Sequence, residues 1–179
     1  MLDTRAIHNL ALIGFMGTGK SSVGRLVADV LHFTFLDTDN VIEARAGKTI
    51  SEIFEQQGEA AFREWERRIT EELTRRKKTV IATGGGLPAS DANLASLKTH
   101  SLVVCLWAGP ERIWERVRGL TLRPLLNGPD PLAKIRDLLA VREPYYRQAD
   151  VLVNTELRSV RQVAQQVIHQ YHMAQAVHR

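Results

Sequence analysis

The chain has 179 residues, 44% of them hydrophobic and 25% charged, with a net charge of +4 and a single cysteine, Cys105. That length suits one compact domain with a full core, and a lone cysteine excludes a disulfide framework or a cysteine-based metal centre. A basic balance is compatible with nucleic acid, but no RNA-binding aromatic motif accompanies the basic residues, so anionic small molecules are the expected partners.

Leu10–Ile13 is an apolar run that reads as a buried strand. Gly14-Phe15-Met16-Gly17-Thr18-Gly19-Lys20-Ser21 follows it and satisfies G-x-x-x-x-G-K-[ST], the phosphate-binding loop. Val23, Leu26, Val27 and Val30 then fall at helical spacing, so the loop joins a strand to a helix start. There the glycines turn backbone N–H groups inward, and the helix terminus adds partial positive charge for phosphates. Lys20 can reach the β- and γ-phosphates, and the Ser21 hydroxyl suits Mg²⁺. A nucleoside triphosphate is the ligand this pattern implies. With Asp3 and Arg5 ahead of the loop, no signal peptide or membrane span is expected, and the reduced thiol fits a cytoplasmic protein.

The next strand, Phe33–Leu36, ends in Asp37-Thr38-Asp39. Triphosphate chemistry needs a second oxygen ligand for its metal, and Asp37 at a strand end is placed for it. Asp39, two residues on, faces either the acceptor or the next helix as a cap. Val41–Ala46 reads as a helix, and Thr49 with Glu52 forms a capping box that opens another, which Gly58 ends. Phe62, Trp65, Ile69 and Leu73 then line one face of an amphipathic helix. Thr79–Thr83 is a third strand running into Gly84-Gly85-Gly86, where ligands bind in open α/β sheets and where backbone freedom permits close approach.

Ser90 or Asp91 caps a short helix, and Ser101–Trp107 is an apolar fourth strand holding Cys105 as a core residue. Pro110 opens a helix to about Arg118. Gly119–Pro131, with three prolines and two glycines, fits no element and reads as a lid, with Arg123 able to close over phosphate. A helix follows over Leu132–Gln148, ended or bent by Pro144; Asp150–Val153 is a fifth strand, and Ser159 caps the last helix. The alternation argues for one α/β domain with a parallel sheet and helices on both faces. His169 and His172 share a helix face but read as solvated rather than metal-ligating.

The ordered set of motifs resembles the shikimate kinase family. It comprises G-F-M-G-T-G-K-S-S-V-G-R at Gly14–Arg25, L-D-T-D at Leu36–Asp39, I-S-E-I-F at Ile50–Phe54 and G-E-A-A-F-R at Gly58–Arg63. The Gly84–Gly86 triplet, R-P-L-L at Arg123–Leu126 and R-E-P-Y-Y at Arg142–Tyr146 complete it. The resemblance implies a P-loop fold of the nucleoside-monophosphate-kinase type: a five-stranded parallel sheet in a single domain with a lid over residues 119–131. It implies phosphorylation of the 3-hydroxyl of shikimate by ATP. Asp39, Arg63, Gly84, Gly85, Gly86 and Arg142 would hold shikimate, the two arginines taking its carboxylate and Asp39 serving as base. Gly17, Thr18, Gly19, Lys20, Ser21 and Ser22 would serve ATP, Ser21 and Asp37 the Mg²⁺, Arg123 the lid, and Arg116 the nucleotide base. A monomer acting on shikimate and ATP is expected, with neither nucleic acid nor membrane as a partner.

The chain departs from the family pattern at Trp107–Pro110, at Gly119–Leu122 and near Asn154–Arg158. A gluconate kinase of the same fold is the nearest rival reading, against which Arg63, Arg142 and the triple glycine stand. A nucleotide-dependent switch would need an Asn-Lys-x-Asp motif, which the sequence lacks. A nucleic-acid-dependent ATPase would rest on charge alone.

Overall fold

The computed structural model describes residues 5–119 and 129–177. Five parallel strands, β1 (Asn9–Ile13), β2 (Thr34–Asp37), β3 (Thr79–Ala82), β4 (Ser101–Trp107) and β5 (Val151–Asn154), form one sheet in the order β2-β3-β1-β4-β5. Among the described residues, seven helices connect and cover them: α1 (Lys20–Leu31), α2 (Thr38–Ala46), α3 (Ile50–Leu73), α4 (Asp91–His100), α5 (Pro110–Val117), α6 (Pro131–Tyr146) and α7 (Val160–Val177).

Successive residues of a strand point to opposite faces, so β1 and β4 feed two cores. Leu10 and Leu12, with Val104 and Leu106, pack against Val23 and Val27 of α1 and Val163 and Val167 of α7. Ala11 and Ile13, with Val103 and Cys105, pack against Ile42, Ile53, Ile69 and Ile113 from α2, α3 and α5. Helices therefore lie on both faces, which explains why the strands read as continuous apolar runs. Burial pushes the Cys105 thiol up to about 12, consistent with a core residue rather than a nucleophile.

The helix signals act locally. Thr49 and Glu52 make the capping box reciprocally, Ser90 rather than Asp91 caps α4, and Ser159 exchanges hydrogen bonds with Gln162 ahead of α7. Gly58, at φ 81°, interrupts helical geometry within α3, so the two expected helices run on as one kinked element. Pro144 lies inside α6, which continues to Tyr146, two residues past it. Arg75, Arg76, Lys77 and Lys78 form an exposed basic run where α3 ends, at the amino edge of the sheet. Cations suit a helix C-terminus there.

A buried polar knot ties that amino edge. Asn9 Oδ1 accepts from the Thr79 amide at 3.0 Å, so its Nδ2 is the donor, to Arg76 O at 2.7 Å and to His100 Nδ1 at 2.9 Å. The Ser101 hydroxyl also approaches His100 Nδ1 at 2.9 Å. That nitrogen must therefore be the acceptor and the ring neutral. Burial, with His8 nearby, holds the His100 pKa below its ordinary 6.5. The unfolded chain then takes up the proton first, so stability present above about pH 6.5 declines as pH falls. Unfolding temperature is expected to drop between about pH 7.5 and 5.5. His100→Asn, which keeps an acceptor near Nδ1, should flatten that dependence; equal slopes in thermal melts would show that another group sets it.

Candidate active site

Parallel register brings the carboxyl ends of three strands level. Leu12 pairs with Ala82, and Ala82 with Asp37, so the segments after β1, β3 and β2 leave the sheet together. Strand order reverses at β1, flanked by β3 and β4, and its phosphate loop occupies the crevice that such a reversal opens. Gly14, Gly17 and Gly19 all have positive φ. A side chain on Gly17 would stand 2.7 Å from Val117 Cγ1 of α5, so glycine is required there for packing as well as for conformation.

Lys20 is 8% exposed, and its Nζ donates to the carbonyls of Gly14 and Phe15 at 2.8 Å each. The Thr18 hydroxyl turns inward to Phe15 O at 2.8 Å and so shapes the loop. Ser21 Oγ donates to Asp37 Oδ2 at 2.7 Å, while Asp37 Oδ1 caps α2 by accepting from the Asp39 amide at 3.1 Å. A serine hydroxyl and a carboxylate in contact beside a phosphate loop form the hard, oxygen-only donor set that Mg²⁺ takes. Among the described residues, no group of three or more His, Cys, Asp or Glu side chains is arranged around a metal position. A cavity of about 280 Å³ opens over this region, with Lys20, Ser21, Ser22, Asp37, Asp39 and Arg116 among its walls. A larger, shallower depression beside Arg5, Lys98 and Asp150 lies at the opposite sheet edge, where Asp150 already pairs with Arg5 at 2.7 Å.

The glycine triplet after β3 is a seat for three charged side chains. A Cβ on Gly84 would collide with Asp39 Oδ1; one on Gly85 would lie 3.3 Å from Arg142 Nη1, and one on Gly86 2.7 Å from Arg63 Nη1. Residues separated by up to about a hundred positions thus meet at one turn. Arg142, on α6, is 7% exposed and lies over the Phe15 ring at 5.3 Å, a cation–π contact that fixes its guanidinium. Arg63, on α3, bonds Glu59 and, through Nη1, the buried Glu66 at 2.7 Å. Burial holds the Glu66 carboxyl above its usual range, opposed by the Arg63 bond, and Asp39 and Arg142 also act on it. Burial of Arg63 is in turn outweighed by its two glutamates, which hold the guanidinium charged.

Glu66 carried no sequence signal, since a glutamate on an amphipathic helix ordinarily faces water. Arg116, on α5, donates to Gly17 O at 3.2 Å, to Thr155 Oγ1 at 3.0 Å and to Thr155 O at 2.6 Å. It joins the phosphate loop to the connection after β5. Two of the departures from the family pattern, Trp107–Pro110 and the stretch near Asn154–Arg158, fold onto one another: Glu156 accepts from the Gly109 amide at 2.6 Å and so caps α5 from outside. Arg123 and most of the expected lid lie outside the described residues.

The shikimate kinase family model matches residues 16–172. The chain belongs to the shikimate kinase family. A shikimate kinase from Caldanaerobacter subterraneus subsp. tengcongensis is 43% identical over 165 residues, covering 92% of this chain and 96% of the relative. A shikimate kinase from Acinetobacter baumannii, solved in complex with shikimate, superposes with a TM-score of 0.89 at 40% identity, covering 93% of this chain and 94% of that one. A gluconokinase from Sinorhizobium meliloti reaches a TM-score of 0.61 at 18% identity over 97% of both chains, and shares the fold alone. Among the described residues, no helix is long and apolar enough to cross a membrane.

Proposed function

We propose that this protein transfers the γ-phosphoryl group of ATP to the 3-hydroxyl of shikimate. The observation that carries the reading is the convergence of Asp39, Arg142 and Arg63 on the Gly84–Gly86 turn, beside the phosphate loop. Two guanidinium forks and a carboxylate match an acceptor that carries one carboxylate and several hydroxyls. In this reading Arg63 and Arg142 take the acceptor's carboxylate. Asp39 accepts the proton of the attacking hydroxyl, and the glycine backbone admits the ring. Gly17, Thr18, Gly19 and Ser22 cradle phosphate, Arg116 lies beside the nucleotide base, and Lys20 leaves its loop carbonyls for the transferring group. Ser21 and Asp37 would hold Mg²⁺, which when bound neutralises phosphate charge. Arg123 would act from a lid over residues 119–131. In this reading the protein works as a cytoplasmic monomer.

An ADP-release assay tests the reading: release should require shikimate and should not be elicited by gluconate. Release independent of shikimate would refute it. The two aspartates provide a finer check. Asp37→Asn retains the helix cap and should raise the Mg²⁺ concentration for half-maximal rate by at least about tenfold, on the scale of lost metal-site contacts. Asp39→Asn should leave that midpoint in place and lower kcat/KM for shikimate by at least about tenfold. Titrations of Mg²⁺ and shikimate that cannot tell the two variants apart would end the proposed division of roles.

A further inference from the structure

The acceptor side of the site is a backbone turn, whose precision depends on what holds it. The Gly84 carbonyl accepts from the Leu87 amide at 3.2 Å, and the Gly86 carbonyl from the Ala89 amide at 3.0 Å. These bonds are local. Two others are not: the Gly84 amide donates to Thr38 Oγ1 at 2.8 Å, and the Tyr146 hydroxyl donates to the Gly85 carbonyl at 2.7 Å. Thr38 and Tyr146 are each 0% exposed. Each fully buried hydroxyl therefore reaches across from another element to the turn. Burial pushes the Tyr146 phenol up, so the hydroxyl keeps its proton and remains a donor.

Their places in the chain give these bonds a meaning beyond polar satisfaction. Thr38 stands between Asp37, which bonds Ser21, and Asp39, which abuts Gly84. Tyr146 lies four residues after Arg142 on α6, hence on the same helix face, and Arg142 itself abuts Gly85. One hydroxyl thus locks the turn to the proposed metal and base carboxylates, and the other locks it to the arginine helix. We propose that Thr38 and Tyr146 are positioning residues for acceptor binding: without touching the acceptor, they set the Gly84–Gly86 backbone against Asp39 and Arg142. The inference rests on the acceptor reading above and deepens it.

Thr38→Val and Tyr146→Phe remove one hydroxyl each at nearly constant shape. One net hydrogen bond corresponds to roughly a 2–10-fold change. Each variant is therefore expected to raise the KM for shikimate by about three- to tenfold while the KM for ATP stays within about twofold. Thr38→Ser, which keeps the hydroxyl, should restore the parent KM. A purely structural role would lower the melting temperature and leave the shikimate KM unchanged. Should Thr38→Val not fold, Thr38→Ala is read in its place, and Tyr146→Phe is read independently. An unchanged shikimate KM in either folded variant, or equal rises in both KM values, overturns the proposal. Failure of the acceptor reading would show separately, as parent protein whose ADP release ignores shikimate.

Discussion

Lys20→Ala is expected to lose about two to three orders of magnitude in kcat while remaining folded. The reason is positional. Lys20 opens α1, where the helix terminus and the loop amides already favour negative charge, and its ammonium is the one full positive charge that the phosphate-loop motif itself supplies. A preorganised charge aimed at the transferring group acts on the transition state more than on bound nucleotide, so kcat should fall further than the KM for ATP rises. Its bonds to the Gly14 and Phe15 carbonyls lie beside the open cavity, from which water can reach those carbonyls once the side chain is gone. A thermal melt close to that of the parent should therefore accompany the lost turnover. Purified variant with near-parent turnover would remove Lys20 from the mechanism.

Arg63→Ala and Arg142→Ala should each raise the KM for shikimate by at least about tenfold, since each removes a charge-assisted bond of roughly 1.5–3 kcal/mol. The KM for ATP should move much less, and Arg→Lys should not restore either, because a lysine cannot supply the planar fork. The structure separates binding from folding at Arg63. Removing it strands Glu66, whose side chain is 1% exposed, as a buried carboxylate without its cation. The Glu66 carboxyl, already above its ordinary 4.5, would rise further in the folded state. A carboxyl whose folded-state pKa exceeds its unfolded value binds more protons when folded. Arg63→Ala should therefore lose stability as pH rises above about 4.5 until the raised pKa is passed. Adding Glu66→Gln should return that stability and leave the shikimate KM high. If the double variant instead recovers shikimate binding, measured by calorimetry, then Arg63 acts only by neutralising Glu66. Should Arg63→Ala and Arg142→Ala both bind shikimate as tightly as the parent, the acceptor assignment falls.

The sequence by itself determined what depends on contacts within a few residues. The phosphate loop, the capping box at Thr49 and Glu52, the Gly58 break and the Ser159 cap are each complete within about eight positions, and each is found where the residues placed it. β4 was legible to its ends, because a strand buried on both faces is an unbroken apolar run. The order of the motifs was enough to identify the family. What the tertiary structure alone decided is which distant groups meet. That Asp39 faces Gly84, as well as donating its amide to the Asp37 cap, depends on β2 lying beside β3; that Arg142 and Tyr146 reach Gly85 depends on how α6 packs. Glu66 and Thr38 were silent in the chain. Their polar atoms take meaning only when burial removes water and leaves a specific hydrogen-bond partner, a guanidinium for one and a glycine amide for the other. Burial of that kind is a property of the packed molecule, set by sheet order and helix docking over separations at which no local pattern carries information.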